Sequence, residues 1–280
     1  MARRLAILAG GGSLPRDLAD AALAQGREVF IVAFEGQTDP AWLSPYAHAW
    51  ARLGAAAGVI NLLHSEQIDD VCMIGPIRRP SWAALRPDFR AMQLIGRLAL
   101  SGLGQGDDRV LSTVVRELER EGFKVIGAHD IVGDLLTPLG VIGAAHPDEV
   151  ALKDVRRGIE VARALGKLDV GQSVVVQQGL VLAVEAIEGT DAMLKRCAEL
   201  KRDGPPGVLV KLKKPQQERR ADLPAAGLRT VDGVIAAGLR GIALEAGQSL
   251  LLERSSALAA ANAAGLFVIG IDPERPDLGV

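Results

Sequence analysis

The chain has 280 residues, a formal net charge of −2 and 49% apolar residues, which is long enough to bury two cores of ordinary domain size without a stapling metal or disulfide. Only 3% of residues are aromatic and no basic excess exists, which argues against nucleic acid as a partner. Cys72 and Cys197 lie in apolar surroundings without a CxxC or a histidine at ligand spacing, so they point to a reducing compartment rather than a zinc site, and neither is a strong nucleophile candidate.

From the N-terminus, residues 5–9 read as a buried strand, 14–25 as a helix, 28–34 as a strand, 55–64 as a helix and 71–74 as a strand. Residues 108–120 then read as a helix started by Asp107 or Asp108 and stopped by Gly122, with 123–126 as the strand after it. This is a parallel, crossover-linked α/β pattern. The Gly- and Pro-containing connection 133–147 separates the halves and is expected as the hinge, giving domains 1–134 and 140–280. The second half opens with a helix over 149–165 and a hairpin, 173–176 and 180–184, around Gln177-Gln178-Gly179. It then alternates: strand 208–212, helix 230–237, strand 241–244, helix 256–264 and strand 266–271. The opening apolar run stops after five residues at Gly10, too short for a signal peptide, and no run approaches the ~18 apolar residues of a membrane span. A cytoplasmic protein is expected, with surface contact to a membrane left open.

Four segments carry candidate chemistry. Gly10-Gly11-Gly12-Ser13-Leu14-Pro15 leaves the first strand and enters a helix that Ser13 can cap and Pro15 can start, so its backbone N–H groups suit a phosphate. A dinucleotide fingerprint wants a third glycine where Pro15 stands, Glu35 is a weak match for a ribose-binding acid, and no Gly-Lys-Ser/Thr makes it a Walker loop. A tight turn without ligand is the competing reading. Gly75-Pro76-Ile77-Arg78-Arg79-Pro80 leaves a strand at its carboxyl end, where two arginines can fork onto phosphate oxygens or simply be solvated. One of Asp107 and Asp108 is expected to cap its helix, leaving the other for a polar or metal role.

Glu185, Glu188, Thr190 and Asp191 sit at the end of the hairpin, where carboxylates grouped with Asp222 could hold magnesium and where Thr190 or Asp191 could instead cap a helix from Ala192. His129 follows a strand as a site residue would, or as a loop histidine would. The fourth segment runs from Lys214 through Arg220 and Asp222 to Leu223-Pro224 and Gly227. Its prolines stiffen the backbone and hold the Asp222 carboxylate in a defined direction, unless the loop is merely polar.

Together these stretches resemble the LpxI family of UDP-2,3-diacylglucosamine pyrophosphatases. The likeness runs through LAGGGSLP, GPIRRP, GDDRVL, EGFKVIGAHD, DVGQSVVVQQGLVLAVEAIEGTDAML, KPQQERRADLPAAG, AGLRGIALEAG and GLFVIGIDP, nearly the whole chain. The chain departs from it at Pro76, at Gln105 and at Ala225-Ala226-Gly227. The resemblance implies an N-terminal Rossmann-like domain, a C-terminal α/β (α+β) domain of family-specific type, and substrate lying between them. It implies hydrolysis of UDP-2,3-diacylglucosamine to UMP and 2,3-diacylglucosamine 1-phosphate (lipid X), by water attacking the sugar-proximal phosphorus. Mg2+ is the implied cofactor, with Mn2+ as an alternative.

In this resemblance Asp222 is the catalytic residue, as metal ligand or as orienter of water, and Asp191 is a second candidate ligand. Substrate contacts are assigned in the first half to Gly10, Gly11, Gly12, Ser13, Leu14, Arg79, Asp107, Asp108 and His129. In the second half they fall to Gln172, Glu188, Thr190, Asp191, Lys214, Gln217, Arg220 and Pro224. Peripheral contact with the cytoplasmic face of the inner membrane and a homodimer stay open. The alternatives are an NAD(P)-dependent oxidoreductase using the glycine turn and a non-catalytic nucleotide or lipid-nucleotide binding protein.

Overall fold

The computed structural model describes residues 3–78, 85–100, 107–275 and 277–280, with the backbone alone for 97–100 and 107–109. Its contacts divide the chain into two compact units. The first comprises Met1–Gly133 and Glu218–Asp222, the second Asp134–Gln217 and Leu223–Val280.

In the first unit β1 (Leu5–Ala9) leads through α1 (Leu14–Ala24) to β2 (Val29–Phe34), and β3 (Ala47–Ala51) leads through α2 (Ala56–Ser65) to β4 (Asp70–Ile74). Helices α3 (Phe89–Leu100) and α4 (Asp107–Arg120) precede β5 (Lys124–Val125), and the short α5 (Ala128–Ile131) follows it. All five strands are parallel in the order β3-β2-β1-β4-β5, the doubly wound arrangement. The unbroken apolar runs Leu-Ala-Ile-Leu-Ala and Val-Phe-Ile-Val-Ala form β1 and β2 because a parallel sheet covered on both faces needs no polar side. Ile7 and Ile31 are fully buried, and each contributes on the order of 1.5–3 kcal/mol of transfer free energy.

Besides the short α5, two elements of this unit escape a reading of the sequence. β3 is an edge strand whose residues stay exposed or half-buried, so Ala-His-Ala-Trp-Ala shows no apolar block. α3 begins at Asp88, whose Oδ1 accepts from the Ala91 N–H and whose Oδ2 accepts from the Ala57 N–H at the start of α2, both at 2.8 Å.

In the second unit β6 (Gly140–Val141), α6 (Glu149–Lys167), β7 (Ser173–Gln177), β8 (Leu180–Val184), α7 (Gly189–Cys197) and β9 (Val208–Lys211) follow in turn. They are succeeded by β10 (Ala225–Ala226), α8 (Leu228–Ala236), β11 (Gly241–Glu245), β12 (Leu250–Leu251), α9 (Arg254–Ala263) and β13 (Phe267–Ile271). The main sheet runs β6-β13-β11-β9-β7-β8; β9, β11 and β13 are parallel, while β6, β7 and β8 each run antiparallel to a neighbour. α6 packs Val155 and Ile159 with Val208 and Val210, whereas α7, α8 and α9 pack Leu194, Val231 and Ala257 with Leu209. Alternation along β9 therefore sends Lys211 to the same side as Leu209.

The β7–β8 hairpin turns on Gln178 (φ 51°) and Gly179 (φ 77°), two consecutive left-handed residues that match the twist of the strands. Buried Asp154 of α6 accepts from both turn amides, at 3.0 and 2.6 Å, and so fixes the hairpin. Nor is the 133–147 connection loose along its length. Thr137 is buried and its N–H donates to the Ser249 carbonyl at 2.9 Å, and Gly140–Val141 joins the sheet against β13.

Candidate functional site

Open parallel sheets bind ligands beyond the carboxyl ends of their strands, where the order of winding reverses. In the first unit that place is between β1 and β4, and the residues following these two strands are the glycine turn and Gly75-Pro76-Ile77-Arg78. The two are stitched together: Gly10 N–H donates to the Ile74 carbonyl at 2.8 Å and Gly11 N–H to the Pro76 carbonyl at 2.9 Å. A methyl group on Gly10 would stand 2.4 Å from the Gly75 carbonyl oxygen, and Gly75 itself has φ +97°. The sequence assigns the whole turn to phosphate; in the structure the Gly10 and Gly11 amides bond to the β4 loop, and their small size serves that packing.

Gly12, Ser13 and Leu14 enter α1, a helix of 11 residues with Pro15 in its first turn. Ser13 makes no side-chain cap, contrary to expectation, so the first amides of α1 are not closed by it. Gln37 is a positioning residue that sequence reading missed. Its side chain accepts from Arg78 N–H at 2.8 Å and donates to the Arg78 carbonyl at 3.1 Å, fixing the chain just before Arg79. Arg79 and the side chains of Asp107 and Asp108 lie outside the described residues.

His129 sits in α5 beyond β5, with its ring over Gly127, where a Cβ would come within 2.3 Å of it. Burial pushes its pKa down and Arg219 adds to this, while Asp130 opposes it, so the ring is disposed to be neutral. Arg219 belongs to the returning segment Glu218–Asp222, which is part of this unit. Ala221 packs against the core of α2, α4 and the sheet. Arg220 donates to Glu119 of α4 at 2.5 Å and to Glu218 at 2.9 Å. These bonds hold the Glu218 carboxyl below its ordinary range and raise the Arg220 guanidinium further. Arg220, expected as a phosphate ligand, clamps the segment that carries Asp222. Asp222 is half-buried, and its N–H closes a turn onto the Glu218 carbonyl at 2.9 Å.

In the second unit the expected residues have specific partners. Lys214 Nζ contacts Asp169 Oδ1 at 2.8 Å, and buried Gln217 accepts from the Lys214 N–H at 3.1 Å, bracing the turn. Pro224 is buried and its carbonyl accepts from Leu250 N–H at 2.8 Å. Glu188 is paired with Arg196 at 2.8 Å, which lowers its pKa, and Asp191 is paired with Arg229. Helix α7 starts at Gly189, and neither Thr190 nor Asp191 caps it.

Thr190 takes part in a buried relay that the sequence did not show. Its hydroxyl accepts from Lys211 Nζ and donates to Glu185 Oε1, both at 2.8 Å. Lys211 is 6% and Glu185 8% exposed, and Ser173 lies 3.4 Å from the same hydroxyl. Glu185 Oε2 and Gln172 Oε1 are buried with no hydrogen-bond partner among the described residues. The only signal for this relay in the sequence is a lysine inside the apolar run Val-Leu-Val-Lys-Leu.

Among the described residues no three His, Cys, Asp or Glu side chains are placed to hold a metal ion. Burial pushes the Cys72 thiol up to about 12 and raises that of Cys197, so both are poor nucleophiles. A cleft of about 360 Å³ beside β2 and β3 is lined by Glu35, Trp50 and Arg52 among others, but by none of the residues of the glycine turn.

Residues 4–135 match the model of the LpxI N-terminal domain and residues 138–269 that of the LpxI C-terminal domain. The chain is 42% identical over 281 residues to the UDP-2,3-diacylglucosamine pyrophosphatase LpxI of Caulobacter vibrioides, covering 98% of this chain and 100% of that protein. Among solved structures, CobK precorrin-6A reductase aligns at 15% identity over 97% of this chain and 88% of its own, with a TM-score of 0.34. A leucoanthocyanidin reductase–NADPH complex from Vitis vinifera aligns at 16% identity over 53% and 41%, with a TM-score of 0.27.

Proposed function

The chain belongs to the LpxI family, and on that premise we propose that it hydrolyses the pyrophosphate of UDP-2,3-diacylglucosamine, releasing UMP and 2,3-diacylglucosamine 1-phosphate. The observation that carries the site assignment is the partition of the chain. The segment bearing Asp222 folds with the unit whose glycine turn offers the start of α1 to a phosphate.

Asp222 orients the attacking water by accepting one of its protons. The water oxygen bonds to the sugar-side phosphorus as the bridging P–O bond breaks, UMP leaves with the bridging oxygen, and the second water proton passes to solvent. Gly12, Ser13 and Leu14 direct backbone amides at the diphosphate, and Arg79 supports them as a guanidinium able to fork onto phosphate. A divalent cation of the Mg2+ or Mn2+ kind, when bound, neutralises charge on the diphosphate oxygens. Asp222 or Asp191 would supply its protein carboxylate, with diphosphate oxygens and water completing the oxygen ligands that such an ion prefers.

The test is hydrolysis by the purified chain in 18O-labelled water, with the products weighed. Label in 2,3-diacylglucosamine 1-phosphate alone is expected. Label in UMP would refute the site of attack, and absence of UMP at saturating magnesium would refute the activity.

A further inference from the structure

The hydroxyl of Thr190 has its hydrogen bonds directed by two buried charged side chains. Lys211 Nζ, at the end of β9, stands 2.8 Å from it, and because an ammonium can only donate, Thr190 accepts there. The hydroxyl proton is then given to Glu185 Oε1, also at 2.8 Å. A hydroxyl has one proton and two lone pairs, so a single lone pair is left for a further bond. Ser173 Oγ, 3.4 Å away, lies beyond the roughly 2.5–3.0 Å of a firm bond between such oxygens. Lys211 and Glu185 are buried, whereas Thr190 is half-buried and follows Gly189, where an added Cβ would find no atom within 4 Å. The relay thus runs from the core to a helix start bordered by open space. Around it the carboxylates Glu185, Glu188 and Asp191 stand against the cations Lys211, Arg196 and Arg229, so these side chains offer an anion no excess of positive charge.

We propose that Lys211 and Glu185 are positioning residues that fix the polarity of Thr190, so that it meets substrate only as an acceptor, from a hydroxyl or an amide N–H, and never as a donor to phosphate. The inference rests on the hydrolase reading and adds a chemical preference to it. UDP-2,3-diacylglucosamine carries such donors on its acylated glucosamine and on its uridine. An ionised phosphate oxygen brings lone pairs alone, so against this hydroxyl it forms no bond and is repelled, whereas a donor completes the set.

The test is titration calorimetry on the full chain with uridine, UMP, 2,3-diacylglucosamine and its 1-phosphate, the two lipids in detergent micelles, so that no turnover is needed. Thr190→Val should weaken either the uridine pair or the glucosamine pair about tenfold, and by the same factor with and without the phosphate. Which pair responds identifies the source of the donor. Thr190→Ser keeps the hydroxyl and should bind within about threefold of the parent. Glu185→Gln keeps the size but lets position 185 donate as well as accept, so the hydroxyl is no longer held in one sense and the same pair should weaken about threefold or more. Thermal unfolding of each variant accompanies the titrations, and if Thr190→Val does not fold, Glu185→Gln carries the same comparison. A loss confined to the phosphorylated member of a pair, no change with any ligand, or parent affinities throughout in Glu185→Gln would overturn the inference. A parent that binds these ligands yet releases no UMP from UDP-2,3-diacylglucosamine would refute the hydrolase reading alone, and a parent that binds none of them would overturn both.

Discussion

Arg220 and Glu119 are 101 residues apart in sequence, yet the Arg220 Nη1 lies 2.5 Å from the Glu119 Oε1. The pair ties the segment carrying Asp222 to α4, so the position proposed for the catalytic carboxylate depends on a helix of the same unit. Arg220→Ala is therefore expected to cost at most about 1 kcal/mol of stability, as partly exposed ion pairs do. Turnover should fall more than that figure suggests, and Arg220→Lys should restore only part of it. Denaturant midpoints compared with kcat and KM would check this, and a kcat unchanged in Arg220→Ala would argue against the clamp.

Asp222→Ala should leave folding and substrate affinity near normal while lowering kcat by roughly 10²–10⁴-fold, the usual effect of removing a group that acts on the reacting water. Asp222→Asn should fare little better, because an amide cannot accept the proton. UMP release under single-turnover conditions reports the chemical step directly. Parent-like rates would remove Asp222 from the mechanism.

Gly10 and Gly12 should respond to alanine differently. At Gly10 the added methyl meets the Gly75 carbonyl, so Gly10→Ala is expected to destabilise by about 1–3 kcal/mol through overpacking. At Gly12, with φ +80° and more open space, the cost is about 1–2 kcal/mol of backbone strain. Substrate KM should rise in Gly12→Ala because the amides entering α1 are misdirected. Thermal unfolding beside steady-state kinetics separates the two effects.

The buried relay predicts that Thr190→Val costs about 1.5–3 kcal/mol, since it removes bonds to both a cation and a carboxylate. Lys211→Met should be at least as damaging, because Glu185 is left buried beside a hydroxyl that has lost its donor. Urea unfolding of each variant tests this. A change of under about 0.5 kcal/mol in both would show that the relay contributes nothing to stability.

His129 has a pKa pushed down in the folded chain, chiefly by burial. A histidine depressed on folding leaves stability intact above its unfolded pKa of about 6.5, and stability is lost as pH falls from there through the folded value. The slope of unfolding temperature against pH below about 6.5 should therefore flatten in His129→Gln. A slope identical to the parent's would assign the acid sensitivity to other groups.

Local signals in the sequence determined much of this protein. Apolar runs placed β1, β2 and β4, Pro15 placed the start of α1, and the Gln178-Gly179 pair placed the hairpin, because each depends on residues within a few positions of one another. The long motifs around EGTDAML and KPQQERRADLP likewise suffice for the family. β3 was hidden because an exposed edge strand needs no apolar pattern, and α3 because its Asp88 cap stands in a basic, proline-rich stretch that reads as loop.

The roles of charged side chains were decided only in three dimensions. Arg220 as a clamp, Asp191 as the partner of Arg229, and Lys211 within the Thr190–Glu185 relay depend on partners 5 to 101 residues away. A phosphate-binding arginine and an ion-paired one look the same in sequence. What separates them is which carboxylate the fold brings within reach, because Coulomb and hydrogen-bond energies depend on distance in space.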